Sequence, residues 1–312
     1  MATEEATTAA IELGQKKAQE ILTNRDEALK RRSAALSRNT KMSEFRIHAS
    51  LAPATEALAT IRTAGFLIAA GDSWFDYPLH DVLKILDDDF GFNIESAAHK
   101  GDAIEKMAYR DGQLDDFARK LDKILAQGAT PKAALLSGGG DDIAGHEFGM
   151  LLNNAFSPIA GWDAKVIDGL VNDRIMTAFV QMLSAMDQIC KQRTGKQIPI
   201  LIHGYDYPIP DGRGFWGGWP FPGPWLEPGF REKNFRELAQ RMSLMRELID
   251  NFNVMLRKLV SLDQFRHVHY IDLRGTLPAA DYEIWWENEL HPTRKGFAAV
   301  SLKFADVLNA LS

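Results

Sequence analysis

Four short clusters hold residues able to do chemistry: Gly71-Asp72-Ser73-Trp74, Ala98-His99-Lys100-Gly101-Asp102, Ser137-Gly138-Gly139-Gly140-Asp141-Asp142 and Asn288-Glu289-Leu290-His291-Pro292-Thr293. A serine hydroxyl is a weak nucleophile until a base takes its proton, and imidazole is the usual base near neutral pH. Ser73 and His291 are therefore the types that acyl transfer needs. The Gly-Asp and Gly-Gly-Gly-Asp-Asp clusters, with strand-end histidines, are also types that hold two cations in a metal-dependent phosphoesterase. Glycines 138–140 suit a phosphate cradle, but no Gly-Lys-Ser/Thr or Gly-x-Gly-x-x-Gly helix start accompanies them. Plainer readings stand beside these. Serine after a strand often caps a helix. His99, His203, His267 and His269 lack a clear ligand spacing and read as strand-end or sheet-facing residues. Asp87-Asp88-Asp89 reads as a solvated turn.

Something must bring clusters so far apart in sequence together. From residue 65, short β-branched or apolar runs alternate with longer helical patterns. The runs are Phe66–Ala70, Phe92–Ala97, Lys132–Leu136, Ile198–His203 and His267–Leu273. Helix candidates at 102–127, 171–194 and 231–263 separate them. Strand, crossover helix and next strand is the signature of a parallel sheet covered on both faces, here of about five strands. Thr293–Ser312 opens with a cap-like Thr293 and carries Phe297, Val300, Phe304 and Leu308, the pattern of a closing amphipathic helix. In an open parallel sheet, ligands bind beyond the carboxyl ends of the strands. Ser73, Gly101, Asp141 and His291 then converge on one crevice.

Two segments break the alternation. Residues 205–230 hold six Pro, six Gly and eight aromatic residues, so neither helix nor strand runs far through them. Such a segment is too aromatic for a linker, and its rings must pack somewhere. A second irregular insertion covers 146–164. Six of the seven tryptophans lie in segments assigned to the crevice end. Any one of them can be core, but the cluster suits an apolar or sugar-stacking wall, with Trp74, Trp216, Trp225 and Trp286 as the substrate-binding candidates.

Composition narrows the classes. The 312 residues carry 36 Lys+Arg against 42 Asp+Glu, a net charge of −6, which makes a nucleic-acid partner a poor expectation. A 46% hydrophobic and 25% charged chain is globular. The single cysteine, Cys190, excludes a disulfide framework within the chain and a Cys-rich zinc site. No window approaches the ~18 apolar residues of a membrane span. The N-terminus, acidic at Glu4 and Glu5, reads as neither secretory signal nor transit peptide, so a soluble, cytoplasmic chain is expected. Residues 1–45 are rich in Ala, Glu, Lys and Arg without Pro, and Leu22, Leu29 and Leu36 recur every seven residues. A helical arm forming a homo-oligomer and a helix lying on its own domain both fit. Three heptad positions are too few for a coiled coil.

Taken together, the clusters resemble the SGNH (GDSL-type) hydrolase superfamily of esterases and lipases. Gly71-Asp72-Ser73 matches the block carrying the nucleophile, and Gly101 the block-two glycine. Gly139-Gly140-Asp141-Asp142 aligns with Gly-x-Asn-Asp of block three, and Asn288-Glu289-Leu290-His291-Pro292 with Asp-x-x-His-Pro of block five. The resemblance covers about residues 65–312. It implies a flavodoxin-like α/β/α fold over 61–312; by their composition the 205–230 segment is an aromatic insertion in that fold and residues 1–60, which the resemblance does not explain, a helical extension. It implies hydrolysis of carboxylic esters, small-molecule, lipid or acylated-sugar, through an acyl-enzyme on Ser73, without metal or cofactor. His291 would be the general base and residue 288 its orienting partner. The oxyanion donors would be the backbone N–H groups of Ser73 and Gly101 and the side chain at 141.

The chain departs from the family at two of these positions. Where the family has a donating Asn, Asp141 donates only when protonated; burial beside Asp142 would favour that form. Where the family has an Asp behind the histidine, this chain has Asn288, which can hold the imidazole but stabilises the imidazolium less. Glu287, Glu289 and Asp272 are the acids that can substitute. A catalytically impaired, ligand-binding relative is the alternative that these two positions raise.

Overall fold

The five apolar runs form one parallel sheet in a computed structural model that describes residues 3–44, 63–110, 112–145 and 147–311, the side chains of 35–44 apart. Leu36's side chain, the 60/61 boundary and His146 lie outside the described residues. The strands are β1 (Gly65–Ala70), β2 (Phe92–Ser96), β3 (Pro131–Leu136), a two-residue hairpin of β4 (Leu152–Asn153) and β5 (Gly161–Trp162), then β6 (Ile200–His203) and β7 (Val268–Ile271). The main sheet runs β2-β1-β3-β6-β7 with every pair parallel. Leu67–Ala70, Ala133–Leu136 and Ile200–His203 are wholly buried, because central strands are covered on both faces. The edge strands are mixed, with Asn93 and Glu95 in β2 and His269 in β7 only partly buried.

Nine α-helices accompany the sheet within the described residues. On one face α2 (Val82–Asp88) packs with α9 (Arg294–Ala310); on the other lie α4 (Gln113–Ala126), α6 (Met176–Thr194) and α8 (Leu238–Val260). The remaining α-helices are α1 (Glu4–Glu44) and the short α3 (Ile104–Tyr109), α5 (Ala164–Asp168) and α7 (Glu227–Glu232), and a π-helical turn at Gly169–Ile175 leads into α6. This is the three-layer α/β/α architecture. Two expectations about elements change. The helix expected over 102–127 is split into α3 and α4 around Gly112, whose φ of +132° a residue with a Cβ rarely adopts. Asp87-Asp88-Asp89 is the exposed C-terminal end of α2 rather than a free turn.

The first half of α1 lies on its own chain. Ala10, Ala18, Ile21 and Leu22 are buried, and a Cβ at Gly14 would stand 2.3 Å from the backbone oxygen of Gln181, so α1 crosses α6 in close contact there. Arg25 pairs with Asp122 at 3.0 Å, and Arg193 with Asp26 at 2.6 Å. These side chains lock α1 over α4 and α6.

The sheet order matters for function. The chain starts at β1, steps outward to β2, then reverses to β3 on the other side of β1. That reversal leaves a crevice beyond the carboxyl ends of β1 and β3, the standard ligand position of such sheets. Ser73 and Asp141 follow those two strands.

Candidate active site

The turn after β1 is fixed by polar groups that have nowhere else to bond. Gln113 of α4 accepts from the Gly71 N–H and donates to the Gly71 carbonyl, both at 2.9 Å. Asp72 is only 1% exposed, and its carboxylate accepts from the Trp74 N–H at 3.0 Å, from Ser137 Oγ at 2.6 Å and from the Tyr205 hydroxyl. His203 Nε2 lies 2.8 Å from Ser137 Oγ. Asp72 thus ties together the ends of β1, β3 and β6, which leaves Ser73 projecting at the crevice.

The turn before α9 is built in the same way. Thr293 caps α9 by accepting from the Gly296 N–H at 3.2 Å. Trp286 and Pro292 form a bridge that closes the turn, and the Trp74 indole donates to the Leu290 carbonyl at 3.1 Å. The turn carrying His291 is thereby joined to the turn carrying Ser73, 218 residues away. His291 Nε2 stands 2.8 Å from Ser73 Oγ. Its Nδ1 is 3.0 Å from Asn288 Oδ1, which also accepts from the backbone N–H groups of Leu290 and His291 at 3.0 Å each. Three donors on one oxygen fix the amide's orientation and place the imidazole proton on Nδ1. The Nε2 lone pair is then free to face the serine. Burial pushes the His291 imidazolium down to about 3, so the ring is neutral over the whole physiological range.

Asp141 and Gly101 line the same cleft as Ser73 and His291. Burial, helped by the nearby carboxylates of Asp72, Asp142 and Asp102, pushes the Asp141 carboxyl up to about 8. At pH 7 it is mostly a neutral acid with an O–H to donate. Asp142 does something else: its carboxylate accepts from the N–H groups of Ile104 and Glu105 at 2.7 and 3.2 Å, holding the start of α3.

Two spaces adjoin Ser73. An open cleft of about 340 Å³ is lined by Tyr77, Lys100, Phe215, Pro222, Trp225 and His291 among others. A recess of about 50 Å³, walled by Ile143, Ala144, Leu248, Ile249 and Phe252, reaches Ser73 and Asp141 but not His291. The four tryptophan candidates part company here. Trp225 lines the cleft, its ring 5.7 Å from that of His291. Trp74 and Trp286 are buried and line the recess. Trp216 stacks on Phe215 with its outer face exposed, outside both spaces.

Of the three acids that could stand in behind His291, none touches it. Glu289 is fully buried and accepts from the N–H groups of Gly212, Trp225, Leu226 and Glu227 at 2.6–3.1 Å, so it anchors the aromatic segment. Asp272 pairs with Arg274 at 2.5 Å. Glu287 reaches the Tyr77 hydroxyl at 3.3 Å. Sequence reasoning missed Tyr77: its ring stacks on His291 with centroids 4.2 Å apart, and only the tertiary fold brings them together. Among the described residues no three His, Cys, Asp or Glu side chains are grouped as metal ligands, and no helix is long and apolar enough to cross a membrane.

No family model matches the sequence, and comparison with curated protein sequences gives no match. Some solved structures show a distant likeness. A member of the lipolytic G-D-S-L family from Veillonella parvula is 13% identical with a TM-score of 0.42, covering 80% of this chain and 100% of its own. A lipase from a goat rumen metagenome is 13% identical at 0.45, covering 78% and 96%. A catalytic mutant of an acetylxylan esterase from Geobacillus stearothermophilus is 13% identical at 0.41, covering 80% and 95%.

Proposed function

We propose that this chain is a serine hydrolase that cleaves carboxylic esters of short acyl chains through an acyl-enzyme on Ser73. The observation that carries the reading is the 2.8 Å contact between His291 Nε2 and Ser73 Oγ, with the opposite ring nitrogen held by Asn288. Ser73 Oγ attacks the ester carbonyl carbon as its proton passes to His291 Nε2. The tetrahedral oxyanion takes hydrogen bonds from the N–H groups of Ser73 and Gly101 and from the Asp141 carboxyl in its protonated form. Collapse breaks the bond to the alcohol oxygen, which leaves with the proton from Nε2. Water then repeats the sequence: His291 takes its proton, the acid departs and Ser73 is regenerated.

The two spaces divide between the two halves of the substrate. His291 must protonate the leaving alcohol, and it lines the open cleft but not the recess. The alcohol therefore occupies the aromatic cleft and the acyl chain the apolar recess. One water needs ~10–15 Å³, so about 50 Å³ takes only a few heavy atoms. Lys100 on the cleft side favours an alcohol carrying polar or anionic groups.

A fluorophosphonate should label Ser73, and Ser73→Ala or His291→Ala should abolish ester hydrolysis while leaving the fold intact. Full hydrolysis by a folded Ser73→Ala variant overturns the reading. Loss of activity to a chelator, with Ser73 unlabelled, would mark a metal-dependent reaction instead.

A further inference from the structure

The buried imidazole lacks a carboxylate partner, yet it must become positively charged in the transition state. Asn288 Oδ1 is saturated by three donors, so its Nδ2 is forced the other way, onto the Tyr77 oxygen at 2.9 Å. The phenol then acts as acceptor toward Asn288, and its own proton is left to donate. Glu287 Oε1 lies 3.3 Å from that oxygen. Every hydrogen bond in the row points one way: His291 Nδ1–H to Asn288, Asn288 N–H to Tyr77, Tyr77 O–H to Glu287. Tyr77 is 4% exposed and stacked on the imidazole, so water does not interrupt the row until Glu287, whose side chain is 26% exposed beside His80.

We propose that Glu287, acting through the Tyr77 hydroxyl and the Asn288 amide, is the positioning carboxylate and remote counter-charge of His291, in place of a carboxylate at position 288. The inference rests on the ester-hydrolase reading above. No proton moves along the row. The carboxylate polarises the phenol, which draws on the amide N–H, which makes Asn288 Oδ1 a better acceptor for the imidazolium. The benefit is felt where the charge develops and not in the neutral ground state, so it belongs in kcat. Glu289 and Asp272 cannot serve, because backbone N–H groups and Arg274 already claim them.

The test is ester hydrolysis by folded full-length variants, with melting temperature checked for each. Glu287→Gln and Tyr77→Phe should each lower kcat about 3–10-fold with KM changed less than twofold. The double variant should be no worse than Tyr77→Phe alone, because the row is already cut. Asn288→Asp supplies a direct carboxylate that accepts the Tyr77 proton, so adding Glu287→Gln in that background should change kcat by less than twofold. A folded Glu287→Gln enzyme with wild-type kcat overturns the proposal, as does an undiminished loss in the Asn288→Asp background, which would mean a structural role. If Tyr77→Phe misfolds, the Glu287 and Asn288 arms decide alone. Activity retained in Ser73→Ala would instead overturn the hydrolase reading itself, so the two failures are distinguishable.

Discussion

Under the proposed mechanism, a carboxylic acid at position 141 makes activity depend on pH in a direction unusual for a serine hydrolase. With its carboxyl at about 8 and His291 at about 3, both groups are in their working forms between those limits. Wild-type kcat should fall as pH rises through about 8, where Asp141 begins to repel the oxyanion. One unit above its pKa only about a tenth of the acid remains protonated. Asp141→Asn donates at every pH, so it should match the wild type near pH 6 and exceed it ~10-fold or more by pH 9–10, given the cost of one lost donor. A variant slower at every pH would assign Asp141 another task. The same groups set opposite stability trends. The folded state raises the Asp141 pKa above its unfolded value of 3.8, so the native state holds a proton that the unfolded state releases, and stability falls as pH rises from about 4 to about 8. Burial lowers the His291 pKa below 6.5, so the unfolded state binds protons first and stability falls as pH drops from about 6.5 toward 3. The melting temperature of Asp141→Asn relative to wild type should therefore climb between pH 4 and 8 and level off above. A flat difference across that window would deny the raised carboxyl.

Between single groups and the whole lie the segments that carry them. Glu289 holds residues 212–227 to the turn of His291 through four backbone N–H groups, beside Arg213, whose guanidinium donates to the Trp286 carbonyl at 2.9 Å. Glu289→Gln puts an N–H₂ group against two of those donors. Leaving buried donors without an acceptor costs about 1–3 kcal/mol each, so urea unfolding should report a loss of about 3 kcal/mol, with KM rising for esters of bulky alcohols. An unchanged unfolding midpoint would rule out the anchor. The strands and long helices that present the site were legible because their apolar periodicity is local: Leu67–Ala70 and Ala133–Leu136 read as strands on their own. The short α2 was not, since its exposed Asp87 and Asp88 mimic a turn while Val82, Leu83, Ile85 and Leu86 pack against other elements. Ser73 and His291 were legible because each follows or precedes such an element at close range. Tyr77, the Glu289 anchor and the split among the tryptophans were not, because each depends on contacts across some sixty to two hundred residues.

At the scale of the whole molecule, the proposed division of the substrate follows the place where the sheet reverses. The recess lies on the β6 and α8 side of Ser73, enclosed by Leu248, Ile249 and Phe252, whereas the cleft opens past His291. In a p-nitrophenyl ester series kcat/KM should be highest for acyl chains of about two to four carbons and fall for octanoyl, as the small recess requires. Met245 of α8 also lines the recess, so Met245→Ala, which enlarges it, should move the optimum to longer chains; a wild-type preference for octanoyl would refute the division of the two spaces. The joint anchoring of the aromatic wall and the base has a kinetic consequence as well. Glu289, which grips the wall, and His291 sit two residues apart on one closed turn, so the wall cannot swing outward without carrying the imidazole off the serine. In the proposed hydrolase, reactants and products would then pass through a mouth that stays open during turnover. Thickening the solvent with sucrose should leave kcat unchanged, because no gate has to move through it.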